Sequence, residues 1–383
     1  MHPISRRSAV SAALVSALAL SLAACNRMPD TIKIGVAQPM TGENGALGTD
    51  LVNGVQLAIT ELNKQGYKVN GKLVTLEMVA VDDKSNPEEG KKVAQQLVDA
   101  GVVAVIGHLN SGVSIPAAPI YAEKGIAQLA ISSNPKFTEL GHVTALRLVA
   151  NDSLQARAVG SFAASQIDGT KFAVIDDGTP YGKGLAEAAA EQLKGKKTIV
   201  VRQSFDDKTK DFAALADKLK ADSVQVIVST LSDFQVVALI ENLTKVDYNR
   251  KITILGTDMI KTPEMIKQTS NVGAFYATSI VLEANEFPGG AAFLTAYQNA
   301  FKIPPAYGGH YTYDATYVLA KAIQRAGSAD PAKITEELRK SNSYAPVTGS
   351  LKWNDKGEQR YGVVSVYRVA NGKWESIMRS DTW

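Results

Sequence analysis

Residues 86–108 read NPEEGKKVAQQLVDAGVVAVIGH, and residues 210–232 read KDFAALADKLKADSVQVIVSTLS. Both follow one layout. A charged amphipathic helix leads into a β-branched strand, and the strand ends in a small polar turn. Around these two stretches, apolar runs alternate with helical patterns nearly throughout. Strands are expected at 32–37, 73–81, 102–106, 126–131, 172–175, 198–203, 224–229 and 252–255. Helices are expected at 48–64, 87–100, 152–166, 181–193, 211–219 and 234–243. Such alternation builds βαβ units, whose parallel sheet is covered by helices on both faces. The expected fold class is therefore α/β, with two similarly built lobes. A helical pattern at 309–326 and the strand-like SLKW (350–353) and YGVVSVYRV (361–369) come after both units. The chain is thus expected to cross between the lobes more than once.

In open α/β sheets, ligands bind at the carboxyl ends of the strands. Two facing lobes would bring their polar turns into one cleft. The stretch AVIGHLNSGVSIPAAPIY (104–121) carries one such turn, in which His108, Asn110, Ser111, Gly112 and Ser114 separate a strand from a helix. A helix N-terminus exposes unpaired N–H groups, and with a hydroxyl beside them it suits a carboxylate. The same serines would equally serve as plain helix caps, and the sequence leaves the two readings open. Pro116 and Pro119 complicate the start of this helix, since proline is easy only in the first turn. Ile131-Ser-Ser-Asn-Pro135 is a second polar turn, either a simple reversal or a binding loop. Asp258, after the strand at 252–255, either caps a helix or faces a ligand cation. Tyr181 reads as core or as a wall of the cleft, and Asp152 most simply as an N-cap. Asp82 and Asp83, followed by Pro87 and Glu88, suit loop and helix-start roles.

Several kinds of chemistry are not supported. Hydrophobic residues make up 45% of the 383-residue chain and charged ones 21%, with a formal charge of +3 and no long run of one sign, so no nucleic-acid footprint is present. Residues 178–184 look like a phosphate loop but lack its spacing and its hydroxyl after the lysine. Ser111 is not in a nucleophile elbow. His108 precedes it by three residues without a third orienting group, so a hydrolase reading finds no nucleophile with its base. The histidines lack metal-ligand spacing. No enzyme activity, cofactor or metal is expected.

The first 25 residues have their own pattern. Arg6 and Arg7 precede an apolar run too short and too early for a membrane span, and the run ends in Leu22-Ala23-Ala24-Cys25. This end resembles a bacterial lipobox. The resemblance implies a lipoprotein signal peptide at 1–24, lipidation of Cys25 and a short tether at 25–30. Cys25 is the only cysteine, so no disulfide is expected. Removing Arg6 and Arg7 from the 41 basic residues leaves a mature chain close to neutral against 38 acidic ones.

From Lys33 to about Trp374, the chain resembles the periplasmic binding proteins that serve branched-chain amino acid ABC importers. The carriers are IGVAQPMTG, GALGTDLVNGVQLAITELN, VDDKSNPEEGKKVAQQLV, VIGHLNSG, ISSNP, VIDDGTPYGKGLA, GTDM, YTYDATYVLAKAI and GSLKWNDKGE, in this order. The resemblance implies a type I periplasmic binding protein, with two Rossmann-like lobes joined by a multi-stranded hinge. Lobe 1 would comprise 31–151 and 280–362, and lobe 2 152–279 and 363–383. It implies that Ser111 binds a ligand carboxylate and that the turn of Ser132, Ser133 and Asn134 contacts both ends of an amino acid. Tyr181 would face the ligand, and Asp258 would meet its ammonium. Leu47 and Leu231 stand where leucine-binding relatives carry tyrosines, which leaves the ligand's side chain open. The implied function is capture of a small amino acid or related carboxylate and its delivery to ABC permease subunits. The protein would be monomeric and extracytoplasmic, touching the membrane through its lipid alone. A ligand-sensing lobe pair signalling to a receptor would share the same fold and pocket.

Overall fold

The computed structural model describes residues 28–381. The expected signal peptide and the expected lipidation at Cys25 lie outside the described residues. The first unit runs β1 (Thr31–Gln38), α1 (Gly45–Lys64), a short hairpin of β2 (Lys68–Val69) and β3 (Lys72–Leu73), and β4 (Thr75–Asp82). It continues with α2 (Pro87–Asp99), β5 (Ala104–Gly107), α3 (Ser111–Glu123), β6 (Ala127–Ala130), α4 (Lys136–Glu139) and β7 (Ala145–Arg147). Its sheet is parallel throughout, in the order β4-β1-β5-β6-β7. The inner strands β5 and β6 are buried along their whole length, as helix layers on both faces require. The edge strand β4 is only partly buried.

The second unit runs α5 (Asp152–Gln166), β8 (Lys171–Asp176), α6 (Pro180–Leu193), β9 (Thr198–Ser204), α7 (Ala213–Ala221), β10 (Val226–Ser229), α8 (Asp233–Lys245), β11 (Thr253–Gly256), α9 (Pro263–Gln268) and β12 (Ala274–Ser279). The chain then returns through α10 (Gly290–Phe301), α11 (Gly309–Ala326), α12 (Pro331–Arg339) and the hairpin of β13 (Asn342–Ala345) and β14 (Gly349–Lys352). Leu319, Ile323, Leu338 and Trp353 of this return join the core of the first unit. The chain leaves again as β15 (Ser365–Ala370) and β16 (Lys373–Arg379), which extend the second sheet antiparallel. That sheet has the order β16-β15-β12-β11-β10-β8-β9. Three segments therefore cross between the lobes, at 148–151, 280–289 and 353–364. Two of them touch, since a Cβ on Gly362 would lie 2.8 Å from Ala150 Cα. No described helix is long and apolar enough to cross a membrane.

The structure corrects the sequence reading at particular points. Helix α3 runs through Pro116 and Pro119, which the sequence reading allowed only in a first turn. Helix α5 is capped by Asn151, whose side chain accepts from the Leu154 N–H, and not by Asp152. Helix α2 is capped by Asn86, which accepts from the N–H groups of Glu88 and Glu89, so the acids before it do not start that helix. Asp82 instead accepts from the Met40 N–H at 2.9 Å. Asp83 is buried 2.7 Å from His108 Nδ1, and the other ring nitrogen of His108 meets the Tyr121 hydroxyl at 3.2 Å.

Candidate functional site

The polar turns of both sheets meet at one place. Ser111 follows β5, Ser132 and Ser133 follow β6, and Asp258 follows β11. Tyr181 stands at the start of α6. Together with Tyr307 these side chains line an inner cavity of about 20 Å³. Ser111 is almost fully buried, and its Oγ accepts from the Asn134 N–H at 3.2 Å. Neither serine of this turn caps α3. Ser114 Oγ donates to the His108 carbonyl at 3.3 Å, and Asn110, which precedes the helix, makes no side-chain cap bond. The hydroxyl of Ser111 is thus presented to the cavity. Asn134 lies between the lobes, where its Nδ2 donates to the Pro180 carbonyl at 2.7 Å.

Asp258 is buried in a 3-10 turn and does not cap it. Gln155 Nε2 donates to its Oδ1 at 2.8 Å, and the Tyr181 hydroxyl lies 2.9 Å from the same oxygen. The Tyr307 hydroxyl donates to Oδ2 at 3.2 Å. Burial pushes the Asp258 carboxyl above the ordinary range, although the donors from Gln155, Tyr181 and Tyr307 oppose it. A carboxylate held this way is primed for a cationic partner.

The turn at Ser132–Asn134 is held from behind by Arg147, which is fully buried at the end of β7. Its guanidinium donates to the carbonyls of Ser132 and Asn134, the latter at 3.0 Å, and forms a bidentate pair with Glu358 at 2.9 and 3.1 Å. Glu358 belongs to the third crossing segment, so one ion pair ties this turn to the interlobe connections. Trp353 Nε1 donates to the Arg147 carbonyl at 2.7 Å and fixes the same corner.

Of the residues singled out from the sequence, Ser111, Ser132, Ser133, Tyr181 and Asp258 converge on the inner cavity, and Asn134 bonds to the Ser111 hydroxyl beside it. Leu47 and Leu231 line neither this cavity nor the larger one outside it; they are buried in the apolar clusters of the first and second lobe. Gln155, Tyr307, Arg147 and Glu358 were not anticipated. The only advance signal was for Arg147, a cation inside an otherwise apolar strand-like stretch that ends just before Asp152.

Beyond Tyr181 and Met259, which line both spaces, the cleft widens to a chamber of about 680 Å³. Glu43, Asn44 and Ser85 form its first-lobe wall, and Asp177, Phe205 and Phe234 form the opposite one. Burial pushes the Asp177 carboxyl up to about 6, opposed by its bonds from Thr179. Among the described residues, no group of three or more histidine, cysteine or acidic side chains is placed to hold a metal.

Residues 31–373 match the sequence profile of a family described as periplasmic binding protein. The chain is 30% identical to Leu/Ile/Val-binding protein homolog 1 of Brucella abortus over 355 residues, covering 91% of this chain and 94% of that one. It is 29% identical to a leucine-, isoleucine-, valine-, threonine- and alanine-binding protein of Pseudomonas aeruginosa, covering 92% and 94%. Among solved structures, it superposes on a leucine binding protein of Thermotoga maritima with a TM-score of 0.81 at 26% identity, covering 92% of this chain and all of that one.

Proposed function

The chain belongs to the periplasmic binding protein family, and from that premise we propose that it captures a small α-amino acid in the interlobe cleft and hands it to an ABC importer. The observation that carries this reading is the pairing of donors and acceptors across the cleft. Ser111 and the N-terminus of α3 offer donors to a carboxylate. Asp258, held by three donors of its own, offers a carboxylate to an ammonium. The inner cavity has room for about one water-sized group, which an ammonium is. The side chain then extends past Met259 into the larger chamber, where Phe205 and Phe234 offer apolar surface beside polar groups from both lobes. The relatives named above support a branched-chain or small aliphatic ligand. A dissociation constant near the micromolar range, about −8 kcal/mol, is within reach of such a site.

The sheet membership of the strands supports a division into 31–151 with 280–362 and 152–279 with 363–383, since β13 and β14 lie with the first lobe and β15 and β16 pair in the second sheet. A signal peptide at 1–24, a lipid on Cys25 and a monomeric body docking on permease subunits complete the reading. It is a binding function without catalysis. Thermal-shift screening against L-leucine, L-isoleucine, L-valine, L-threonine, L-alanine and their des-amino acids tests it. Stabilisation by amino acids and not by the des-amino acids is the expected result; the reverse order sinks the amino acid reading.

A further inference from the structure

Asp152 is the first residue of α5 and is 1% exposed, yet neither of its carboxylate oxygens has a hydrogen-bond partner among the described residues. Its backbone N–H donates to the Ser133 carbonyl at 2.9 Å, so it lies directly behind the binding turn. One helical turn later, Gln155 holds Asp258 through its amide nitrogen, while Gln155 Oε1 is itself unpartnered. The first turn of α5 therefore carries a second buried acid behind the turn that lines the cavity, one helical turn from the residue that holds Asp258.

The charged and titratable groups facing Asp152 are Asp258 after β11, Arg147 on β7, Glu358 in the third crossing segment and the Tyr181 hydroxyl on α6. Arg147 and Glu358 neutralise each other through their bidentate pair. Two carboxylates are left, with a single cation to come from an amino acid. Two like charges buried close together do not both ionise without a counter-charge. Asp258 has three well-formed donor bonds to stabilise its anion and Asp152 only the nearby Ser133 hydroxyl, which makes no well-formed bond to it, so the proton belongs on Asp152.

We propose that Asp152 is the second acid of the ligand-cation subsite, protonated between ligands and ionised when an ammonium arrives. On capture, the Asp152 carboxylic acid gives its proton to water and becomes a carboxylate; no covalent bond to the ligand forms. The ammonium carries three N–H groups, so one cation can donate to both acids and place its single charge between them. Burial and the charge of Asp258 push the Asp152 carboxyl up to about 7, with the Ser133 hydroxyl and Arg147 opposing, which puts the exchange in the neutral range. The inference rests on the amino acid reading above and adds a proton to it. A ligand lacking the cationic nitrogen would gain nothing from this exchange.

Calorimetry of the wild-type protein with L-leucine, in phosphate and in Tris buffer, counts the protons. Close to one proton should be released per ligand near about pH 6 and close to none near about pH 8.5, with affinity rising up to about tenfold per pH unit below about 7 and flat above it. In Asp152→Asn, leucine should still bind, without proton release. Leucine binding with equal heats in both buffers near pH 6 overturns this inference alone, and so does undiminished proton release from Asp152→Asn. Should that variant fail to fold, the wild-type buffer comparison decides. Should no amino acid bind at either pH, the proposed function falls and takes this inference with it.

Discussion

Under the proposed function, Asp258 and Ser111 are unequal partners for a zwitterion. Truncating one member of a buried charged pair typically costs about 2–5 kcal/mol. A neutral hydroxyl bonded to a charge contributes about 1.5–3 kcal/mol, and the amides around Ser111 cover part of its loss. Asp258→Ala should therefore weaken amino acid binding by roughly 30-fold or more, and Ser111→Ala by less. Calorimetry of the two variants with L-leucine checks the order; a larger loss for Ser111→Ala contradicts it. Asp152 makes a different prediction, on stability. The folded protein keeps its proton up to about pH 7, whereas the unfolded chain releases it near the ordinary value of 3.8. Between those values the folded state binds the extra proton, so this contribution to stability is full at acid pH and is lost as pH rises through about 7. Asp152→Asn does not titrate. It should melt above wild type at about pH 8, by up to about 4 kcal/mol, and lose that advantage toward about pH 4. The serines and Asp258 were legible in the sequence because each follows an apolar strand. Gln155 and Tyr307 were not, since they reach Asp258 from 103 and 49 residues away and nothing local marks them.

Among the elements, α1 and α11 make the closest approach that bears on the site. A Cβ on Gly54 would lie 1.9 Å from the Gly309 carbonyl oxygen and 2.4 Å from Thr312 Oγ1. Backbone cannot yield there as a flexible side chain would, so glycine is needed for the helices to touch. Asp50, one turn earlier on α1, accepts from the N–H groups of Tyr307 and Gly309 at 3.0 and 2.8 Å and so fixes the start of α11. Through this contact α1 sets where the Tyr307 hydroxyl stands over Asp258. Gly54→Ala should destabilise the protein by about 1–3 kcal/mol, read as a lower urea midpoint, and should weaken leucine binding as Tyr307 shifts. An unchanged midpoint would show that the two helices separate without cost. Several long helices were legible because their periodicity is strong, and the helix expected at 309–326 is found at Gly309–Ala326. Strands β2, β13 and β16 and helices α4, α9, α10 and α12 were not expected, and neither were strands β7 and β12. One has three residues, and the other, AFYATS, mixes aromatic and small residues without alternation. The caps were misassigned where an asparagine stood beside a more conspicuous acid, at Asn86 and Asn151.

At the scale of the whole molecule, three crossing segments join the two sheets, and a proposed closure would have to bend at them. The lobes touch across the cleft through few direct bonds. Asn134 Nδ2 donates to the Pro180 carbonyl, Tyr307 reaches Asp258, and Lys210 meets Glu43 at 3.3 Å in an exposed pair. A neutral hydrogen bond contributes about 0.5–1.5 kcal/mol, and an exposed ion pair about 0–1. Turning a protein from almost wholly open to almost wholly closed takes about 5.5 kcal/mol of differential binding. An amino acid bound with about −8 kcal/mol supplies that much only if most of its contacts exist in the closed form alone. The site is built this way, since Ser111 comes from the first lobe and Asp258 from the second. Small-angle scattering should thus show a smaller radius of gyration at saturating L-leucine than without it. Asn134→Ala removes one closing bond and leaves both charge contacts in place. It should weaken binding by no more than about tenfold, yet reach the same compact form at saturation. If the radius stays constant while calorimetry shows leucine fully bound, the charges of the ligand are met without closure, and the proposed hand-over would have to rest on some other feature of the surface.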